Sequence, residues 1–131
     1  MEMTLSVYPV LEAVRDAMAA VPRVRTCRIG LEANMTPDDY PIVRIVPTRI
    51  VPAGVINRRR VETLIYLGAP VHEFTAGLQA QYDQLLDMER QVIDVLHSGG
   101  PEWFGQYLET ILDEDQADAY KLLAVRCEVE G

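Results

Sequence analysis

The stretch Pro41-Ile42-Val43-Arg44-Ile45-Val46-Pro47-Thr48-Arg49-Ile50-Val51-Pro52-Ala53-Gly54-Val55-Ile56-Asn57-Arg58-Arg59-Arg60-Val61-Glu62-Thr63-Leu64-Ile65-Tyr66-Leu67 decides the fold. Its wealth of Val, Ile and Thr is a strand composition, and Val51-Pro52-Ala53-Gly54 carries Pro second and Gly fourth, as a type I turn prefers. It reads as one long β-hairpin. Arms of roughly ten residues at ~3.3 Å each would reach about 33 Å, more than a small domain needs to cover its core, so part of the hairpin is expected to project. Pro47 removes a ladder donor, which predicts an edge or a bulge there, and Asn57 offers a second place to turn. Past the turn, Val61, Thr63, Ile65 and Leu67 alternate with Glu62, Leu64 and Tyr66. That is the pattern of a central strand with one face fully buried and the other partly covered.

On the N-terminal side, Val7, Val10, Leu11, Val14, Met18 and Val21 recur at helical spacing. The spacing predicts a helix from about Leu5 to Ala20, capped by Ser6 or Thr4 and stopped by Pro22. The period then changes to two, with Cys27, Ile29 and Leu31 on one face and Arg28 and Gly30 on the other, a short strand. Glu32 to Tyr40 has a loop composition. On the C-terminal side, Thr75 can cap a second helix whose Leu78, Tyr82, Leu85, Val92 and Leu96 form a stripe flanked by Leu86 and Ile93. It ends at Ser98-Gly99-Gly100-Pro101. Trp103, Tyr107 and Ile111 fall four apart, yet the aromatic, Thr and Ile content of Trp103 to Leu112 favours a strand. An acidic turn follows, and Leu123, Val125, Cys127 and Val129 then alternate with Ala124, Arg126 and Glu128 in a final strand. The order α, β, long hairpin, α, β, β predicts a single α+β domain over residues 1–131. Two helices lie on one face of a mostly antiparallel sheet, and the hairpin projects.

The chain has 131 residues, 49% of them hydrophobic and 24% charged, so it should fold as one globular unit rather than remain disordered. Its 12 Lys plus Arg against 20 Asp plus Glu give a net charge of −8, a sign that repels phosphate backbones. Specific nucleic-acid binding is therefore not expected. No apolar run approaches the ~18 to 20 residues of a membrane span, and Met1-Glu2-Met3-Thr4 lacks a basic region before an apolar one. An intracellular protein without a membrane segment is expected. Cys27 and Cys127 stand far apart without metal-site or redox spacing and read as two buried thiols rather than a disulfide. The charge is unevenly placed. Eight Arg fall between Arg23 and Arg60 against three acids, whereas Glu102 to Asp118 holds six acids and no base. Such asymmetry fits two solvated faces, or complementary edges of neighbouring subunits.

Catalytic chemistry is thinly represented, and no catalytic residue, cofactor or metal site is assigned. His72, in a strand-to-helix connection, and His97, in a last helical turn, read as surface or capping residues. There is no G-x-S-x-G, Gly-rich phosphate loop or H-E-x-x-H motif. Asp113, Glu114, Asp115 and Asp118 offer hard-cation oxygens but lack the ligand alternation of an EF-hand, so a solvated acidic turn is the plainer reading. Arg58, Arg59 and Arg60 either guard a strand edge or contact a partner. Tyr82 and Met88 read as core and helix flank. Trp103 is either core or an interface anchor.

The assembled pattern resembles the tail terminator, or tail-completion, proteins of long-tailed bacteriophages, small α+β subunits that close the head-proximal end of the tail tube. The resemblance spans nearly the whole chain. It is carried by the opening helix, the strand Val24-Arg25-Thr26-Cys27-Arg28-Ile29, the strand Pro41-Ile42-Val43-Arg44-Ile45-Val46, the strand Arg60 to Leu67, the long second helix and the terminal strand Leu122 to Val129. It implies a non-enzymatic structural protein that forms a homo-oligomeric, six-membered ring, ends tail polymerisation and joins the head to the tail. The implied partners are the tail tube protein and a head-completion or connector protein. The implied location is the virion tail, after assembly in the bacterial host cytoplasm. A ring needs one patch to meet a different patch on its neighbour, and Arg49, Arg58, Arg59 and Arg60 against Asp113, Glu114, Asp115 and Asp118 form such a pair. The alternative is a small cytoplasmic adaptor or ligand-binding α+β domain.

Overall fold

The alternation from Val61 to Leu67 is realised at the middle of a five-stranded sheet. The structure is a computed structural model and describes residues 6–30, 41–54, 58–70, 77–113 and 120–131. Among these, the elements run α1 (Tyr8–Ala19), β1 (Thr26–Ile29), β2 (Ile42–Pro52), β3 (Arg59–Pro70), α2 (Gly77–Ser98), β4 (Phe104–Asp113) and β5 (Tyr120–Glu130). The sheet order is β1-β2-β3-β5-β4, with β1 parallel to β2 and every other pairing antiparallel. The expected α+β architecture is what the chain adopts.

Both helices pack on the same side of the sheet. Leu11, Val14 and Met18 of α1 and Leu85, Met88, Val92 and Leu96 of α2 meet Val43, Ile45, Val61, Ile65, Leu67, Leu123, Val125, Cys127 and Val129 in one core. Each fully buried aliphatic side chain there stabilises the fold by roughly 1.5–3 kcal/mol before the entropy of ordering it is subtracted. Met88 is fully buried, whereas Leu86 is 44% exposed.

The Oγ of Ser6 accepts the Tyr8 N–H, so Ser6 does help to close the start of α1, and the helix stops before Pro22 as expected. Leu5, Thr4, Leu31, the Glu32 to Tyr40 loop, Asn57 and Thr75 lie outside the described residues. Gly99, at φ +63°, ends α2, and its N–H donates to the Val95 carbonyl. Only a residue without Cβ takes that left-handed conformation cheaply.

Two details differ from the expected hairpin. The chain does not reverse over Val51 to Gly54: Pro52 still pairs with Arg59, the Ala53 N–H donates to the Arg58 carbonyl, and the reversal falls after Gly54 at φ +81°. Moreover, β3 is paired with β5 as far as Arg60↔Glu130, which keeps that arm inside the sheet. What extends is an edge, because β1 accompanies β2 only to Ile45 and Val46 to Pro52 run on beyond it. The bulge expected at Pro47 is present between Pro47 and Arg49, where the Thr48 hydroxyl donates to the Glu62 carbonyl at 2.9 Å.

Candidate assembly interface

Strand alternation fixes which side chains reach the face that the helices leave open. Register places Arg49, Glu62, Glu128 and Gln106 in one cross-strand row, and Val51, Arg60, Glu130 and Phe104 in the next. The charges in these rows are paired within the chain. Arg49 lies 3.7 Å from Glu62, Arg60 lies 3.9 Å from Glu128 and 3.7 Å from Glu130, and Arg58 lies 3.4 Å from Glu130. Arg126 binds Glu109 across β5 and β4 in the same way. All are partly exposed, so each contributes well under about 1 kcal/mol, but the ladder orients the arginines along the sheet.

This placement adds partners to the basic cluster that the sequence alone did not show. Arg49, Arg58 and Arg60 carry carboxylate partners from their own chain, and Arg59 points to the helix side opposite Pro52. Any contact they make with a neighbour would be shared with these carboxylates. The reason is register: Glu128 and Glu130 lie far from Arg60 in sequence, and only the β3–β5 pairing brings them together. Of the acidic group, Asp113 ends β4 and pairs with Leu122, whereas Glu114, Asp115 and Asp118 lie outside the described residues. The row of Arg60 and Glu130 and the row of Leu122 and Asp113 stand at opposite ends of the sheet, about 26 Å apart at the usual rise per residue.

Sequence reasoning passed over Arg44. It lies between Arg28 and Tyr66 on the open side, yet it is only 1% exposed. Its Nη1 donates to the Thr26 hydroxyl at 3.4 Å and the Val43 carbonyl at 3.3 Å, while its Nε has no acceptor among the described residues. Nothing in a Val-Arg-Ile triplet separates this arginine from the exposed Arg49, because its burial comes from tertiary packing.

The strand at Phe104–Asp113 is the other feature that composition only half revealed. It is a terminal strand, and Phe104, Leu108, Ile111 and Leu112 along it are 51%, 37%, 46% and 45% exposed. On its helix side, the Tyr107 hydroxyl shares a 2.7 Å hydrogen bond with the Thr110 hydroxyl, which donates to Glu89 of α2 at 2.6 Å. These contacts fasten β4 to the domain while, among the described residues, its outer backbone edge has no neighbouring strand in the sheet.

Trp103 is 6% exposed and belongs to the core, so it is not an exposed anchor. It also lines a cavity of about 670 Å³ between α1, the tip of the β2–β3 hairpin and the α2–β4 turn, together with Pro9, Val10, Ala13, Arg58 and Glu102. No sequence signal marked that space. Cys27 and Cys127 are free thiols, the first half-buried and the second buried. Burial pushes Cys127 up to about 12, with Glu128 adding to the effect, and pushes Cys27 up to about 11 against the opposing pull of Arg44 and Arg15. Both stay protonated at neutral pH and are poor nucleophiles and poor metal ligands. His97 is exposed in the last turn of α2, and His72 lies outside the described residues. Among the described residues no three His, Cys, Asp or Glu side chains converge on a metal-sized site, and no helix is long and apolar enough to cross a membrane.

Comparison with protein-family models and with curated protein sequences finds no match to this chain.

Proposed function

We propose that this chain is a structural, non-enzymatic subunit of a bacteriophage or prophage tail. It assembles as a ring, caps the tail tube, ends its polymerisation and offers the surface to which the head is joined. The resemblance to tail terminators supports this reading, and one observation carries it physically. Among the described residues, exposed Arg25 and Arg28 lie at or beside β1, while Glu102, Glu109 and Asp113 fall on or beside β4, the opposite terminal strand. A surface polarised across one sheet suits heterologous contacts, in which unlike patches meet and repeat around an axis. The partners in this reading are further copies of the chain, six in a closed ring, together with the tail tube protein and a head-completion or connector protein. The site of action is the virion tail after assembly in the host cytoplasm.

Absolute mass by light scattering on a sizing column, across protein concentration and with or without magnesium, tests the ring. Six copies of 14.7 kDa give 6 × 14.7 ≈ 88 kDa, the expected species. A mass of one chain at every concentration contradicts it. A second reading, a small adaptor or ligand-binding domain, is favoured by the 670 Å³ cavity beside Trp103, whose apolar walls carry one cation in Arg58. Native mass spectrometry of the purified protein separates the two, since this reading requires a retained small molecule on a single chain.

A further inference from the structure

Terminal strands expose backbone donors and acceptors, and natural sheets usually blunt them with proline, bulges or charge. The Gly30 N–H donates to the Ile45 carbonyl, so Ile45 faces away from β3, and Pro47, two residues on, does the same. The Ala53 N–H donates to the Arg58 carbonyl, so Ala53 faces β3 and Pro52 faces away. Both prolines of β2 therefore remove donors from its outer edge, and the Thr48 bulge kinks that edge further. The β4 strand has no proline, runs for ten residues and displays four exposed apolar side chains. Among the described residues it is a long strand edge left competent to pair.

We propose that β4 of one copy adds, antiparallel, to the outer edge of β1 in a second copy, so that neighbouring subunits share a continuous sheet. This deepens the ring reading and rests on it. Three observations select this occupant. First, β4 runs antiparallel to β1, because the order β1-β2-β3-β5-β4 contains one parallel and three antiparallel steps. A copy repeated in the same orientation along the sheet thus brings its β4 to β1 in the more stable antiparallel sense. Second, β1 and β4 carry exposed charges of opposite sign on the same open face, Arg28 and Glu109, so that Arg28 of one copy can join the Arg126–Glu109 pair of the next. Third, pairing β4 with β4 of another copy would set acid against acid, since Glu102 to Asp118 contains no base. Leu108, Ile111 and Leu112 supply the apolar area that the short β1 cannot.

Disulfide trapping tests this in the full chain with Cys27→Ala to remove the neighbouring thiol. Leu108→Cys, Glu109→Cys and Ile111→Cys, which lie on the open side with Arg28 and cover neighbouring registers, are each mixed with a separate Arg28→Cys protein and oxidised. The expected result is a covalent dimer of 2 × 14.7 = 29.4 kDa in at least one mixture and in none of the four proteins alone. A chain carrying both substitutions should give a ladder of higher multiples. A β4 variant that crosslinks to itself overturns the proposal, as does failure of every mixture while light scattering still reports the oligomer. In that last case the ring survives and only this contact fails. A chain that stays single at all concentrations overturns both.

Discussion

The two long free edges of this sheet are built in opposite ways. Along Val46 to Pro52, β2 carries two prolines that strip outward donors, a bulge at Thr48 and the exposed Arg49, the usual means of keeping a strand from recruiting another. Along Phe104 to Asp113, β4 keeps its backbone donors and exposes Phe104, Leu108, Ile111 and Leu112. Its bulge, between Tyr107 and Glu109, turns side chains without removing a donor. The difference teaches that a solvent-facing edge is not one kind of surface. In this chain one edge is guarded against pairing and the other retains what pairing needs.

Ile65→Ala should have the largest effect and should not discriminate between the edges. Ile65 is fully buried in β3, between the strand that leads to each edge, so its truncation should cost about 2–5 kcal/mol in chemical denaturation. A loss below about 1 kcal/mol would mean the shared core is not what holds both edges in place. Leu108→Lys with Ile111→Lys should then separate stability from association. Both side chains are exposed, so stability should shift by no more than about 0.5 kcal/mol each, while the scattering mass should fall to that of one chain. An unchanged oligomer would remove β4 from the contact. The smallest effect on the native fold is expected from Pro47→Val with Pro52→Thr, which returns two donors to the β2 edge. That variant should gain self-association beyond the parent's six-copy mass, and an unaltered mass profile would show that the prolines do not guard the edge.

Much of this architecture was legible in the sequence, because buried faces impose periods. Val61, Thr63, Ile65 and Leu67 announced the central strand, and Leu85, Val92 and Leu96 announced the long helix. The ambiguity of Trp103 to Leu112 has a definite cause. The bulge at Leu108 switches the phase of β4, so Tyr107 and Thr110 face the helices while Ile111 turns to the open side beside Ala124. A one-residue insertion thus destroys period two and leaves an accidental spacing of four among Trp103, Tyr107 and Ile111. The interface was less legible. The arginine cluster was visible, but its neutralisation by Glu128 and Glu130 depends on pairing between distant strands, and the burial of Arg44 depends on packing. Neither leaves a local mark in the chain.

Hydrogen exchange followed by mass spectrometry on dilute and concentrated protein tests the contrast between the edges most directly. Amides of residues 104–113 and 26–29 should exchange more slowly as concentration rises, while those of residues 46–52 should not change. Protection that appears along 46–52, or that rises uniformly over the chain, would contradict the assignment of β4 as the pairing edge.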